Sequence, residues 1–154
     1  MPVPAVSPEV AALMQALREG DEEARRAAAE QLAAMGPQAA EALPALVQAL
    51  ADQSPEVRAA VTEALSALGP QAAEALPMLM QAMNDPSAAV REGVASVLGT
   101  LGPLAMDAVP ILIPSLLDQN PALVQSVADA LRSITGQDFG LDPEAWQQWW
   151  AQQG

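Results

Sequence analysis

Carboxylates carry most of the reactive chemistry available to this chain. Of its 154 residues, 19 are Asp or Glu and six are Arg, and there is no Cys, His, Lys or Tyr. Those absences remove thiol and imidazole nucleophiles, histidine bases, Schiff-base lysines, disulfides, and zinc or haem sites with their usual ligands. What remains is acid–base work by paired carboxylates, oxygen ligation of a hard cation, and ion pairing. Catalytic carboxylates must converge on one substrate, whereas these are scattered over expected helix surfaces and turns. Glu22, Glu23 and Glu30 read as first-turn dipole partners and solvated helix surface. Asp138, Asp142 and Glu144 share a loop and are a loose attraction for Ca²⁺, but a calcium loop needs more ligands at fixed positions. Asp142 before Pro143 reads more simply as a helix N-cap. The expectation is a non-enzyme with no cofactor and no metal site.

Ion pairing has a pattern. Arg25, Arg58 and Arg91 recur every 33 residues, and an acid lies six residues before each: Glu19, Asp52 and Asp85. A guanidinium so placed can bridge turn carbonyls and carboxylates bidentately. In the next register Asp118 persists but Val124 replaces the arginine.

The elements that position these residues are repeats. Gly36-Pro37-Gln38-Ala39-Ala40-Glu41-Ala42-Leu43-Pro44 recurs unchanged from Gly69 to Pro77, and again in degraded form from Gly102 to Pro110. Before each glycine runs a helical pattern such as Val57, Val61, Ala64, Leu65 and Leu68; after it runs a second, such as Leu43, Leu46, Val47 and Leu50. Asp21, Ser54, Ser87 and Asn120 precede the first helices and are preferred N-cap types. The Gly-Pro pairs end them, glycine permitting a left-handed terminus and proline preventing continuation. Each repeat is an antiparallel helix pair that buries its apolar faces only by stacking. The expected helices are 8–18, as the second half of a truncated first repeat, then 21–35 with 39–51, 55–68 with 72–83, 88–101 with 106–117, a final first-type helix 121–134, and a terminal helix 143–152. Repeats at about 7–20, 21–53, 54–86, 87–119 and 120–135, with a C-terminal cap at 136–154, form a single domain over 1–154.

With no His and no Tyr, ankyrin and tetratricopeptide signatures fail. The repeats resemble the short bacterial HEAT-like repeat named after the phycobilisome lyases. The residues that carry the likeness are Pro55-Glu56-Val57-Arg58-Ala59-Ala60, Ala64-Leu65, Leu68-Gly69-Pro70 and Ala75-Leu76-Pro77. The ending Thr135-Gly136-Gln137-Asp138-Phe139-Gly140 with its Trp-rich tail also resembles the close of other small bacterial HEAT-repeat proteins. The resemblance implies an all-α, right-handed α-solenoid of about four helix pairs with a Trp-bearing capping helix. It also implies that Glu19, Arg25, Asp52, Arg58, Asp85 and Arg91 form a structural ladder tying each turn to its neighbour.

In such stacks the second helices line the concave side. At 33-residue intervals they carry Ala45, Met78 and Ile111, then Gln48 and Gln81, then Glu41, Glu74 and Asp107, which together make the candidate partner-binding row. Met78 and Ile111 read equally as residues packed between helices. Trp146, Trp149 and Trp150 sit at i, i+3 and i+4 on the last helix and are read as a cap over the open end of the stack, with a docking role as the alternative.

The function expected is a protein–protein interaction scaffold or adaptor. A phycobilisome-related accessory factor (linker, assembly or lyase-like subunit) is the alternative that the resemblance implies. A designed HEAT-like protein is a further alternative, from the near-identity of two repeats; the decayed third repeat, the irregular fourth and the lack of lysine argue for a natural chain. A formal charge of −13 calls for a protein partner with a basic or mixed surface and argues against nucleic acid. Met1–Val6 shows no targeting signal, and no run approaches 18 consecutive apolar residues, so a cytoplasmic protein without a membrane span is expected. Oligomeric state is left open.

Overall fold

A short polar side chain ahead of each apolar-periodic run decides where the longer helices start. The computed structural model describes residues 6–154 as helices joined by turns: α1 (Pro8–Glu19), α2 (Glu22–Met35), α3 (Leu43–Ala49), α4 (Pro55–Leu68), α5 (Leu76–Ala82), α6 (Ala88–Leu101), α7 (Val109–Ser115), α8 (Pro121–Thr135) and α9 (Pro143–Ala151). The side chains of Asp21, Ser54, Ser87 and Asn120 accept the backbone N–H of Ala24, Val57, Val90 and Leu123. Each satisfies a donor that the first helical turn leaves orphaned, worth ~1 kcal/mol. The expected first-type helices therefore appear within a residue of their predicted limits.

The second-type helices start later than the periodicity predicts. Residues Gly36–Ala42, Gly69–Ala75 and Gly102–Ala108 form 3₁₀ segments, and the α-helices begin only at Leu43, Leu76 and Val109. Pro44, Pro77 and Pro110 explain the delay. Inside an α-helix each would forfeit the bond to the carbonyl four residues back and clash with it. The backbone takes tighter turns until each proline falls in the first turn of an α-helix, where no N–H is needed. At the preceding corners Gly36, Gly69 and Gly102 have φ of +62, +65 and +58° with ψ of −141, −143 and −138°. This is not the left-handed terminus expected but a more extended conformation essentially confined to glycine.

Packing divides the chain into two compact units, one ending at Gln71 and one starting at Ala72. In the first, α2 lies along α4, and α1 packs against α2 and α3. Its core is aliphatic, with Leu17, Leu32, Leu46, Val57, Val61 and Leu65 buried. In the second, α6 lies along α8, α5 packs on α6, and α7 packs on α8 and α9. Leu79, Val94, Leu98, Leu112, Leu131 and Trp146 are fully enclosed there. Each such aliphatic side chain contributes ~1.5–3 kcal/mol on burial. A Cβ added at Gly99 would stand 3.2 Å from the Ala130 Cα, so α6 and α8 approach as closely as two small residues allow.

Ala88–Ser115 is the one stretch among the described residues long and apolar enough to cross a membrane by length and composition. It is not one straight rod. The positive φ of Gly102 and the 3₁₀ segment after it split the stretch into α6 and α7, whose Val90, Val94, Leu98 and Leu112 are buried in the second unit.

Candidate protein-binding faces

The turns between repeats use one device. Asp52, Asp85 and Asp118 each accept, through Oδ1, the backbone N–H two residues on, from Ser54 at 2.9 Å, Ser87 at 2.8 Å and Asn120 at 2.9 Å. The in-register arginines reach the same turns. Arg58 and Arg91 donate Nη1–H to the carbonyls of Asp52 and Asp85, both at 2.7 Å, and Arg25 donates to the Gly20 carbonyl at 3.0 Å.

The carboxylate partner lies one repeat onward, not six residues back. Arg25 Nε and Nη2 hold Asp52 Oδ2 and Oδ1 at 2.7 and 3.0 Å, and Arg91 Nη2 reaches Asp118 Oδ2 at 3.3 Å. Glu19 therefore stands outside the ladder assigned to it: its Oε2 accepts from Gln15 Nε2 at 3.0 Å, while the turn carbonyl beside it binds Arg25. Burial works against the Asp52 charge, yet the bonds from Arg25 and from the Ser54 N–H outweigh it and hold this carboxyl below the ordinary aspartate pKa. The Ser54 hydroxyl, 2.8 Å from Glu22 Oε1, adds a second tie between the start of α2 and this turn.

Helical spacing sets what the second-type helices expose. The first unit presents Ala11, Gln15 and Arg18 on α1, and Glu41, Pro44, Gln48 and Ala51 along α3 and its ends. The second presents Glu74, Pro77, Gln81 and Asn84 along α5, and Asp107, Pro110, Pro114 and Leu117 along α7. The acids and glutamines of the candidate row thus face solvent. Its apolar members do not behave alike. Ala45 is a core residue, 3% exposed, because α3 packs against α1 and a methyl group does not extend beyond that contact. The longer Met78 and Ile111 remain half-buried, with an edge in solvent.

Two rows escape the sequence reading. The prolines at 44, 77 and 110 each lie exposed three residues beyond an acid. At one register the first unit exposes Arg18 and Ala51 and the second exposes Asn84 and Leu117, the leucine 73% exposed. The signal for it is the same 33-residue spacing carried three residues on from the glutamines.

Each unit adds one feature of its own. An open groove of about 500 Å³ in the first is lined by Leu17, Arg18, Arg25, Ala45, Gln48 and Gln53, among others. In the second, Trp146 is fully buried, donates Nε1–H to the Gly140 carbonyl at 2.9 Å, and meets Phe139 edge to face at 4.9 Å between ring centres. Trp149 and Trp150 are only half-buried, so the helical face they share with Trp146 does not give the three one role. Asp138 and Asp142 are spent on the backbone N–H groups of Gly140, Glu144 and Ala145. Among the described residues no group of three or more acids is placed to hold a metal ion.

A family model of HEAT repeats matches residues 10–98 and 70–132. No curated protein matches the chain in sequence. Among solved structures it is similar to an engineered protein at 20% identity and TM-score 0.75, over 88% of this chain and 67% of that one. It is similar to a designed armadillo repeat protein in complex with the peptide (KR)4 at 19% identity and TM-score 0.71, over 80% and 63%. A third is the complex of CpcE and CpcF of phycocyanin lyase from Nostoc sp. PCC7120, at 25% identity and TM-score 0.68, over 88% and 56%. The fold is that of the HEAT and armadillo solenoids, and the chain spans from 56% to 67% of the length of these structures.

Proposed function

The chain belongs to the HEAT-repeat family, and from that premise we propose that it is a non-enzymatic scaffold or adaptor, binding basic or Arg/Lys-flanked segments of other proteins on its second-helix faces. The observation that carries this reading is the exposed stripe repeated in register: an acid, a proline three residues on, then a glutamine or proline four residues beyond. The three in-register arginines are engaged with turn carbonyls, so they do not cancel those acids for a partner. The acids steer encounter, and steering is screened as the Debye length falls from ~10 Å at 0.1 M salt to ~3 Å at 1 M. Affinity comes from apolar anchors, which in the second unit are Met78, Ile111 and Leu117. The designed armadillo neighbour with its (KR)4 peptide supports a cationic segment as the first probe.

Fluorescence anisotropy with labelled (KR)4 tests the reading. Binding is expected at low salt, weakening as salt rises, with no binding of an acidic octapeptide. Once a protein partner is in hand, Ile111→Glu abolishes its binding with helicity intact, whereas Asp107→Asn slows association alone. A chain that ignores cationic peptide at low salt overturns the proposal.

A second reading, a phycobilisome-related accessory factor, is supported by the likeness to CpcE and CpcF. Holding bilin propionates takes free cations. Arg26 pairs with Glu30 and Arg132 with Asp129, which leaves Arg18 with no partner among the described residues. A change in the absorbance of free bilin on mixing favours this reading, and an unchanged spectrum favours the scaffold.

A further inference from the structure

Among the surfaces of this acidic chain, the groove of the first unit stands out by its charge. Arg18, at the end of α1, is exposed and has no ion pair or hydrogen bond among the described residues. Arg25, which also lines the groove, commits three of its five N–H donors, one to Gly20 and two to Asp52. The lining carries two guanidinium groups against one carboxylate, Asp52, in a chain of formal charge −13. The Asp21 and Glu22 charges act on Arg25 from outside the lining, which leaves Arg18 as the uncommitted cation. Gln48 offers an amide donor on the wall, and buried Leu17 and Ala45 make an apolar floor.

The space exists because two side chains are small. At the register of Ala45 the later repeats carry Met78 and Ile111; at the register of Ala51 they carry Asn84 and Leu117. Its volume of about 500 Å³ falls within the ~300–1,000 Å³ of ordinary small-ligand pockets.

We propose that this groove binds a carboxylate, and that its occupant is the free C-terminal carboxylate of a partner polypeptide, held on Arg18 with the last side chain over Leu17 and Ala45. Arginine suits the planar carboxylate because its fork of donors matches both oxygens. A terminal carboxylate is favoured over an internal Asp or Glu by the surrounding charge. The exposed Glu41 of the same unit repels an acidic segment, whereas a basic segment still ends in one carboxylate. The proposal rests on the protein-binding reading above.

The test is heteronuclear NMR of the full chain titrated with N-acetyl-Arg-Leu free acid, with its C-terminal amide, and with N-acetyl-Glu-Leu amide. The free acid is expected to shift the Arg18 and Arg25 side-chain Nε–H signals and the backbone amides from Gln48 to Gln53, and to bind at least ~10-fold tighter than either amide, the worth of one charge-assisted pair. Arg18→Gln should weaken the acid ~10-fold, and Ala45→Met should close the groove. Ala51→Leu, at an exposed position, closes the mouth without touching the core and decides the matter if the first filling variant folds poorly. Equal binding of acid and amide, shifts outside the groove, or no shift at millimolar peptide overturns the proposal. Equal binding by the Glu peptide overturns the terminal assignment. Loss of (KR)4 binding with the acid peptide still seated sinks the scaffold reading instead.

Discussion

The two compact units share a framework and differ in what fills it. Up to Gln71 there is no aromatic residue; Phe139, Trp146, Trp149 and Trp150 all belong to the second unit. In the first unit Arg25 grips the following turn through two bonds to Asp52, at 2.7 and 3.0 Å, while in the second Arg91 reaches Asp118 through one, at 3.3 Å. The first keeps a polar groove beside Arg18, where the second has Ile111 half-buried and Leu117 projecting. Register thus decides which positions are buried, capped or exposed. The residue at each exposed position is then free to differ, and that is where the two units diverge.

The largest effect expected from breaking this contrast is at the aromatic cap. Trp146→Ala removes a fully enclosed indole and its bond to Gly140, and should cost ~3–5 kcal/mol in denaturant unfolding. Trp149→Ala and Trp150→Ala, each half-buried, should cost well under half of that. Hydrogen exchange after Trp146→Ala should show protection lost in α7 and α8 before α2. Equal loss in both units would mean that the aromatic cluster is not specific to the second.

Acid unfolding separates the two turns. The Asp52 pKa is below its ordinary value of ~3.9 in the folded chain, so its ionised form stabilises the fold above that value. That contribution is lost as pH falls through the folded pKa. Asp52→Asn should therefore cost about 1 kcal/mol at pH 7, solvent screening keeping it at the low end for a charged hydrogen bond, and should cost progressively less below ~pH 3.9. Asp118→Asn should cost less at pH 7, since its single bond to Arg91 is longer. Urea melts of both variants at neutral and acidic pH check the order, and a larger loss at Asp118 would reverse it. By the same reasoning Arg58→Ala, which frees the Asp52 carbonyl, should lower the melting temperature more than Arg26→Ala, which breaks an exposed pair 3.7 Å long.

What the sequence made legible depended on distance along the chain. The caps at Asp21, Ser54, Ser87 and Asn120 bind a donor three residues away, so residue type and position suffice to identify them. The late start of α3, α5 and α7 is also local, but it needs the steric effect of Pro44 and its counterparts to outweigh an apolar periodicity that runs straight through them. The carboxylate partner of Arg25 is 27 residues onward and is set by how α2 lies on α4, which spacing within one repeat does not reveal. Least legible was the groove, because it is made by missing bulk at Ala45 and Ala51; alanines in a helical pattern read as filler until the neighbouring helix shows what they leave open.

The smallest stability effect expected is at Leu117, and it sharpens the contrast most. A leucine 73% exposed, just past the end of α7, buries too little to support the core, so Leu117→Gln should change unfolding free energy by less than ~0.5 kcal/mol. In the first unit Ala51 holds the same register, so Ala51→Leu should be similarly neutral in melts. Binding is where the two substitutions should part. Leu117→Gln removes an apolar contact from the second unit and should raise the dissociation rate of a protein partner anchored there, leaving salt-dependent association unchanged, because no charge is altered. Ala51→Leu should leave that interaction intact. A melt lowered by more than 1 kcal/mol in Leu117→Gln would show the side chain to be packed rather than presented. An unaltered dissociation rate would move the proposed anchor inward to Ile111, whose side chain is half-buried.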